Sequence, residues 1–247
     1  MLVGDFKPVT VLARLEQRLG KLPRKKASAP PSAAQPAAPS RARIVVVPRK
    51  GASQSNVAIG FAGAPQASDD QAALAILETM LGRSLSGRLD LKVRGEHGFT
   101  YGVEMNAPSW RTAGVIEITA AVEAAHTAEA VKGLLGELTR AGTQPIEPEE
   151  LMRAKIHALG ELGYEDEGST DMDLGMLETL ATEDLPLDWY GKVASRLESL
   201  EEADVREAAA RFFTANTAQI AVVGDPDVVV GPLRALGIGD VEVEPRP

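Results

Sequence analysis

The chain has 247 residues, 44% of them hydrophobic and 25% charged, ordinary globular values that supply a sizeable core and exclude disorder throughout. Its formal net charge is −9, with the basic residues scattered rather than gathered into a stripe, which excludes a nucleic-acid binder. Cysteine is absent, so disulfides and thiolate zinc sites are excluded and only His97, His126, His157 and the carboxylates remain as metal ligands.

Residues 2–5 (Leu-Val-Gly-Asp) read as the end of a strand, and residues 9–19 place Val11, Leu12, Leu15 and Leu19 at helical spacing. Met1 stands directly before this run, which reads as the inside of a folded element rather than a natural start. The missing signal peptide therefore leaves the compartment open between periplasm and cytoplasm. No run of about 18 apolar residues occurs, so no membrane span is expected and the chain reads as soluble. Residues 23–42, rich in Pro, Ala and Ser, have almost nothing to bury and read as a linker.

Residues 43–48 and 56–61 read as strands, the second alternating Val57, Ile59 and Phe61 on one face. Residues 68–81 form an amphipathic helix with Ser68, Asp69 or Asp70 as its cap. Residues 99–106 and 114–122 make a strand pair joined through a turn that holds Pro108 and Gly114. Helices follow over 127–140, 148–165, 172–181 and 201–213. A last strand begins at Ala218, ends in Val223-Gly224-Asp225 and leads into a helix at 228–236. Strand, Val-Gly-Asp turn and helix thus occur at both ends of the chain. That echo is a repeat signal: residues 1–22 read as the tail of a preceding homologous domain, and residues 43–247 as a whole one. Strands cluster early and helices late, which predicts an α+β fold, an antiparallel sheet with helices packed on one face, over a doubly wound parallel one.

Chemistry concentrates in residues 81–103, LGRSLSGRLDLKVRGEHGFTYGV. Leu85, Leu89 and Val93 are spaced by four, a helix with a buried stripe, and Arg94 sits just beside it. Gly95 and Gly98 weaken and end that helix. A strand then begins, so Tyr101 can return near Arg94. A guanidinium fork and a phenol suit the holding of peptide carbonyl or carboxylate oxygens, not unaided bond breaking. Taken alone, Arg94 reads as a surface or salt-bridging arginine and Tyr101 as a half-buried strand aromatic.

The same residues resemble the insulinase-like (pitrilysin-type) zinc metallopeptidases. The C-terminal, non-catalytic domain of that family carries Leu-Gly-x-x-x-Ser-x-Arg-Leu and then Leu-Arg-x-x-x-Gly-x-x-Tyr. Here Leu81-Gly82, Ser86, Arg88-Leu89, Arg94, Gly98 and Tyr101 fall in that pattern without a gap. Gln54, Asp69 or Asp70, Glu149-Glu150-Leu151 and Val223-Gly224-Asp225 extend the likeness over nearly all of residues 43–247. The resemblance implies that Arg94 and Tyr101 bind the backbone of a peptide substrate in the active site of a homologous catalytic domain or subunit. It places zinc in that partner and no cofactor in this chain. A homo-oligomer also fits. The alternative is a purely structural subunit of the same fold, as in the core proteins of respiratory cytochrome bc complexes. One departure bears on the pair: Val93-Arg94-Gly95-Glu96 stands where relatives often have Leu-Arg-Glu-Lys, so Gly95 loosens the helix end carrying Arg94.

The family's catalytic H-x-x-E-H does not occur. His126-Thr127-Ala128-Glu129 is followed by Ala130, leaving a surface histidine at a helix start. His157 and Glu161 are four apart on a helix but lack an identifiable third ligand. Ser84 is no nucleophile elbow, there is no P-loop or G-x-G-x-x-G, and the acidic cluster around residues 165–173 does not fit an EF-hand.

Overall fold

The computed structural model describes residues 2–23, 39–82, 87–95, 98–164 and 170–244. Most of the expected linker, residues 24–38, lies outside them, as do Ser84, Leu85, Ser86, His97 and residues 165–169 of the acidic cluster.

Alternation of apolar and polar or small residues builds the strands. In β1 (Arg43–Pro48) and β2 (Gln54–Gly63), Ile44, Val46, Val57, Ile59 and Phe61 point to one side and are buried. The strands β3 (Thr100–Asn106), β4 (Gly114–Glu123), β5 (Gln219–Gly224) and β6 (Asp240–Val243) complete one sheet in the order β3-β4-β2-β5-β1-β6. From β3 to β5 all neighbours are antiparallel, as expected. On the other side the expectation of an antiparallel sheet is corrected, because β1 runs parallel to both β5 and β6. The reason is a strand-helix-strand connection from β5 through α9 (Pro226–Ala235) to β6, which delivers parallel strands and leaves a slot for β1 between them.

Helices cover one face. They are α2 (Gln71–Leu81), the short α3 (Arg88–Asp90), α4 (Thr127–Thr143), α5 (Pro148–Leu159), α6 (Thr170–Thr182), α7 (Trp189–Ser199), α8 (Glu202–Phe212) and α9. Ile76, Leu77, Leu81, Leu134 and Leu138 from α2 and α4 meet Ile59, Ile116 and Ile118 of the sheet in one core. The chain is thus α+β with its helices on a single side.

The Val-Gly-Asp exit of β5 has a physical account. A Cβ at Gly224 would stand 2.5 Å from the Oγ of Ser55, a fully buried serine whose Oγ accepts from the Thr127 hydroxyl at 2.8 Å. Asp225 follows, and its carboxylate accepts from the N–H of Asp227, capping α9, and from the N–H of Gly51 in the β1–β2 turn. One triplet therefore ties a strand end, a helix start and a hairpin together. At the other Val-Gly-Asp, residues 2–7 join no strand ladder among the described residues, because a strand forms only by pairing. The helix behind them, α1 (Pro8–Leu19), forms as expected but buries none of its residues, with Val9, Leu12, Leu15 and Leu19 facing outward.

Candidate functional site

Among the described residues, the side of the sheet away from the helices is open. Register pairs carry one row across all six strands: Glu104, Thr119, Ala58, Ala221, Val45 and Glu242. The next rows add Gly60 on one side and Ala121 and Asn56 on the other. The middle of the floor, at Ala58, Gly60, Ala121 and Ala221, is therefore methyl groups and bare backbone, flanked by the polar side chains of Asn56, Glu104, Glu117, Thr119 and Gln219. It carries a shallow depression of about 730 Å³, bounded at one end by Asp90, Thr100, Tyr101 and Glu104.

That end owes its shape to a β-bulge. Thr100 pairs with Val122 and Val103 with Ala120, so three residue steps on β3 oppose two on β4. Thr100 and Val103 both face the core. Tyr101 and Gly102 are pushed out between them. The Thr100 hydroxyl stabilises the bulge from inside, donating to the carbonyl of Gly102 at 2.9 Å and accepting from its N–H at 3.2 Å. Tyr101 is consequently 91% exposed, which corrects the reading of it as a half-buried aromatic: in an unbroken strand the two-residue period would set its partners differently.

Arg94 arrives on the other arm of the same turn. After α3 the backbone widens into a π-helical turn, Leu91–Gly95. This differs from the continuous helix expected there, and its site agrees with the loosening assigned to Gly95. Leu89 and Val93 keep the buried stripe. The chain then reverses: the N–H of Gly98, at positive φ, donates to the carbonyl of Arg94 at 3.0 Å, and that of Phe99 to the carbonyl of Val93 at 3.2 Å. The Arg94 side chain is 38% exposed, and its Nε donates to Oδ2 of Asp90 at 2.5 Å. The salt-bridging reading of Arg94 thus holds for this structure.

Asp90 is the residue the sequence reading missed. Its side chain is 1% exposed, its second oxygen Oδ1 accepts from the N–H of Val103 at 3.2 Å, and it lines the depression. An i, i+4 Asp–Arg pair flanking a buried stripe was the available signal. Behind it, Arg88 ties α3 to α5 by a two-point pair with Glu150, Nε to Oε1 at 2.7 Å and Nη2 to Oε2 at 2.5 Å. The hydrogen bonds it donates to Glu150 hold the Arg88 guanidinium above its ordinary pKa, against the opposing effect of partial burial.

Metal chemistry finds no seat among the described residues, where no group of three or more His, Asp or Glu is placed to hold an ion. His126 precedes α4 on the surface, stacked on Phe99 with ring centroids 4.0 Å apart and carrying Glu129 at 3.5 Å and Glu123 at 3.9 Å. His157 has Glu161 at 3.7 Å. These residues do not fit a catalytic zinc, which needs three protein ligands converging on one point. No helix among the described residues is long and apolar enough to cross a membrane.

Comparison with known proteins bears on the family and the fold. The family model of the peptidase M16 inactive domain matches residues 1–157. An uncharacterized zinc protease of Streptomyces coelicolor is 27% identical over 202 residues, covering 78% of this chain and 43% of that protein. The chain thus spans under half the length of this curated relative. Among solved structures, a peptidase M16 inactive domain from Pseudomonas fluorescens superposes with a TM-score of 0.79 at 23% identity, covering 90% of this chain and 52% of that one. A protease from Helicobacter pylori gives 0.77 at 19%, covering 90% and 53%. A chain of complex III2 from Candida albicans gives 0.70 at 16%, covering 91% and 54%. At such identities the likeness to these structures is one of fold.

Proposed function

Because the chain belongs to the peptidase M16 family as an inactive domain of its zinc proteases, we propose that it is the substrate-gripping half of an insulinase-like metallopeptidase. In this reading residues 1–22 are the tail of the preceding homologous domain, residues 23–42 a linker, and residues 43–247 the inactive domain. The open sheet face turns toward a homologous domain or subunit bearing H-x-x-E-H, and the two enclose a peptide. Zinc ligation and activation of water belong to that partner. Here Tyr101 offers its hydroxyl and Arg94 its guanidinium to peptide carbonyl oxygens or a carboxylate, fixing the register of the chain to be cut. The observation that carries this reading is the bulge that holds Tyr101 out beside the turn bearing Arg94, at the rim of the open face.

The test is cleavage of a quenched fluorescent peptide by the H-x-x-E-H-bearing half with this chain added. A hydrogen bond from a charged donor contributes about 2 kcal/mol, more than tenfold in rate. Arg94→Ala with Tyr101→Phe is therefore expected to lower kcat/KM by well over tenfold, with the isolated chain neither cutting peptide nor binding stoichiometric zinc. Cleavage by the isolated chain would sink the proposal.

A second reading, a structural subunit, is favoured by the complex III2 likeness. It predicts a stable complex in which the Arg94 and Tyr101 variants change nothing.

A further inference from the structure

We propose that Asp90 is the positioning residue of this site, one carboxylate that sets the placement of Arg94 and Tyr101 relative to each other. The inference rests on the substrate-binding reading for its purpose and on geometry alone for its content. Asp90 Oδ2 takes the Nε–H of Arg94 at 2.5 Å, while Oδ1 takes the N–H of Val103 at 3.2 Å. Val103 is the residue at which β3 regains register after the bulge containing Tyr101. The carboxylate therefore joins the two arms of the turn from inside, where water does not compete: its side chain is 1% exposed. A charge placed so deep is tolerated only when paired and hydrogen-bonded. Arg94 provides the pairing, and β3 supplies a hydrogen bond.

The arrangement also restricts how the Arg94 side chain can move. Nε is committed to Asp90, so the guanidinium cannot swing about its last torsion without breaking a charge-assisted bond. A π-helical turn ending in Gly95 would otherwise hold its arginine loosely. Asp90 restores the rigidity that the backbone at Gly95 gives up. Gly102, the second residue of the bulge, lies against the same carboxylate, a Cβ there standing 3.7 Å from Oδ1.

Asp90→Asn is the discriminating change. Its carbonyl oxygen can still accept from Val103, but its amide would present N–H to the Nε–H of Arg94, so the charge pair goes while the strand contact stays. In the full chain, the Arg94 Nε–H resonance is expected to be resolved and slow to exchange with water in the wild type. It should be lost in Asp90→Asn while the sheet amides remain in place. An unchanged Arg94 Nε–H signal in Asp90→Asn overturns the proposal.

The second arm reads quenched-peptide cleavage with the H-x-x-E-H-bearing half in a double-mutant cycle. Asp90→Asn is expected to cost about tenfold in kcat/KM, chiefly through KM, and to cost nothing further once Arg94 is alanine. Losses that multiply would make Asp90 a structural residue acting apart from Arg94 and overturn the proposal. If Arg94→Ala alone leaves cleavage unchanged, the substrate-binding reading fails, while the resonance arm still decides whether Asp90 positions Arg94.

Discussion

One two-point ion pair joins the helices behind the site. Arg88 and Glu150, 16% and 21% exposed, meet through two hydrogen bonds between α3 and α5. Removing one partner strands the other charge in a half-dry site, so Arg88→Ala is expected to cost about 2 to 3 kcal/mol in denaturant unfolding. The folded-state pKa of Arg88 lies above its unfolded value. A raised pKa contributes stability that is complete below the unfolded value and is lost only as pH rises through the folded one. Both lie beyond the range in which proteins are handled, so the cost should be equal at about pH 7 and pH 9. A cost that fades at the higher pH would show that the guanidinium charge is not what matters. In the sequence the i, i+4 pair of Asp90 and Arg94 was legible as a local pattern. The pairing of Arg88 with Glu150 was not, since nothing local joins residues on separate helices.

Between α2 and β3 the packing is close enough that one atom decides it. A Cβ added to Gly82, just past α2, would lie 2.6 Å from Cβ of Met105 and 2.9 Å from its backbone nitrogen. Backbone cannot step aside as a side-chain tip can, so Gly82→Ala should lower the unfolding free energy by about 1 to 3 kcal/mol and displace β3. A melting temperature unchanged from the wild type would contradict this. β3 is an edge strand, and carboxylates take backbone N–H groups along it: Asp90 that of Val103, and Glu78 that of Ala107, one residue past its end, at 2.5 Å. An edge blunted by carboxylates resists pairing with another chain. Element identity was mostly legible because burial enforces period, as Val57, Ile59 and Phe61 show. α7 was passed over although Trp189, Val193 and Leu197 keep a four-residue spacing. β6 had no such signal: its mostly exposed Asp-Val-Glu-Val run is recruited by pairing with β1. The bulge at Tyr101 was equally silent, because it depends on the opposing strand.

At the level of the molecule, α1 contributes nothing to the core, though its apolar stripe matches the pattern by which α9 buries Val229 and Leu233. Deleting residues 1–38 should therefore change the stability of the remainder by no more than about 0.5 kcal/mol, measured by chemical unfolding. A larger loss would mean that this segment folds back onto residues 43–247. The same deletion is expected to impair joining to the H-x-x-E-H-bearing half, if that half supplies the surface that α1 covers. The family was legible from the gapless run between Leu81 and Tyr101, and the absence of H-x-x-E-H pointed to its inactive domain. What no sequence pattern conveyed was the strip of small residues at the middle of the exposed sheet, which follows from register across the strands.

The narrowness of that bare strip limits how anything resting there could be told apart. Ala58, Gly60, Ala121 and Ala221 offer no donor, acceptor or charge beyond the backbone, so the middle of the face would sort a guest by girth and by how flat it lies, as a slot sorts coins. Telling one residue type from another would fall to the polar side chains around the strip, among them Asn56, Glu104, Glu117 and Thr119.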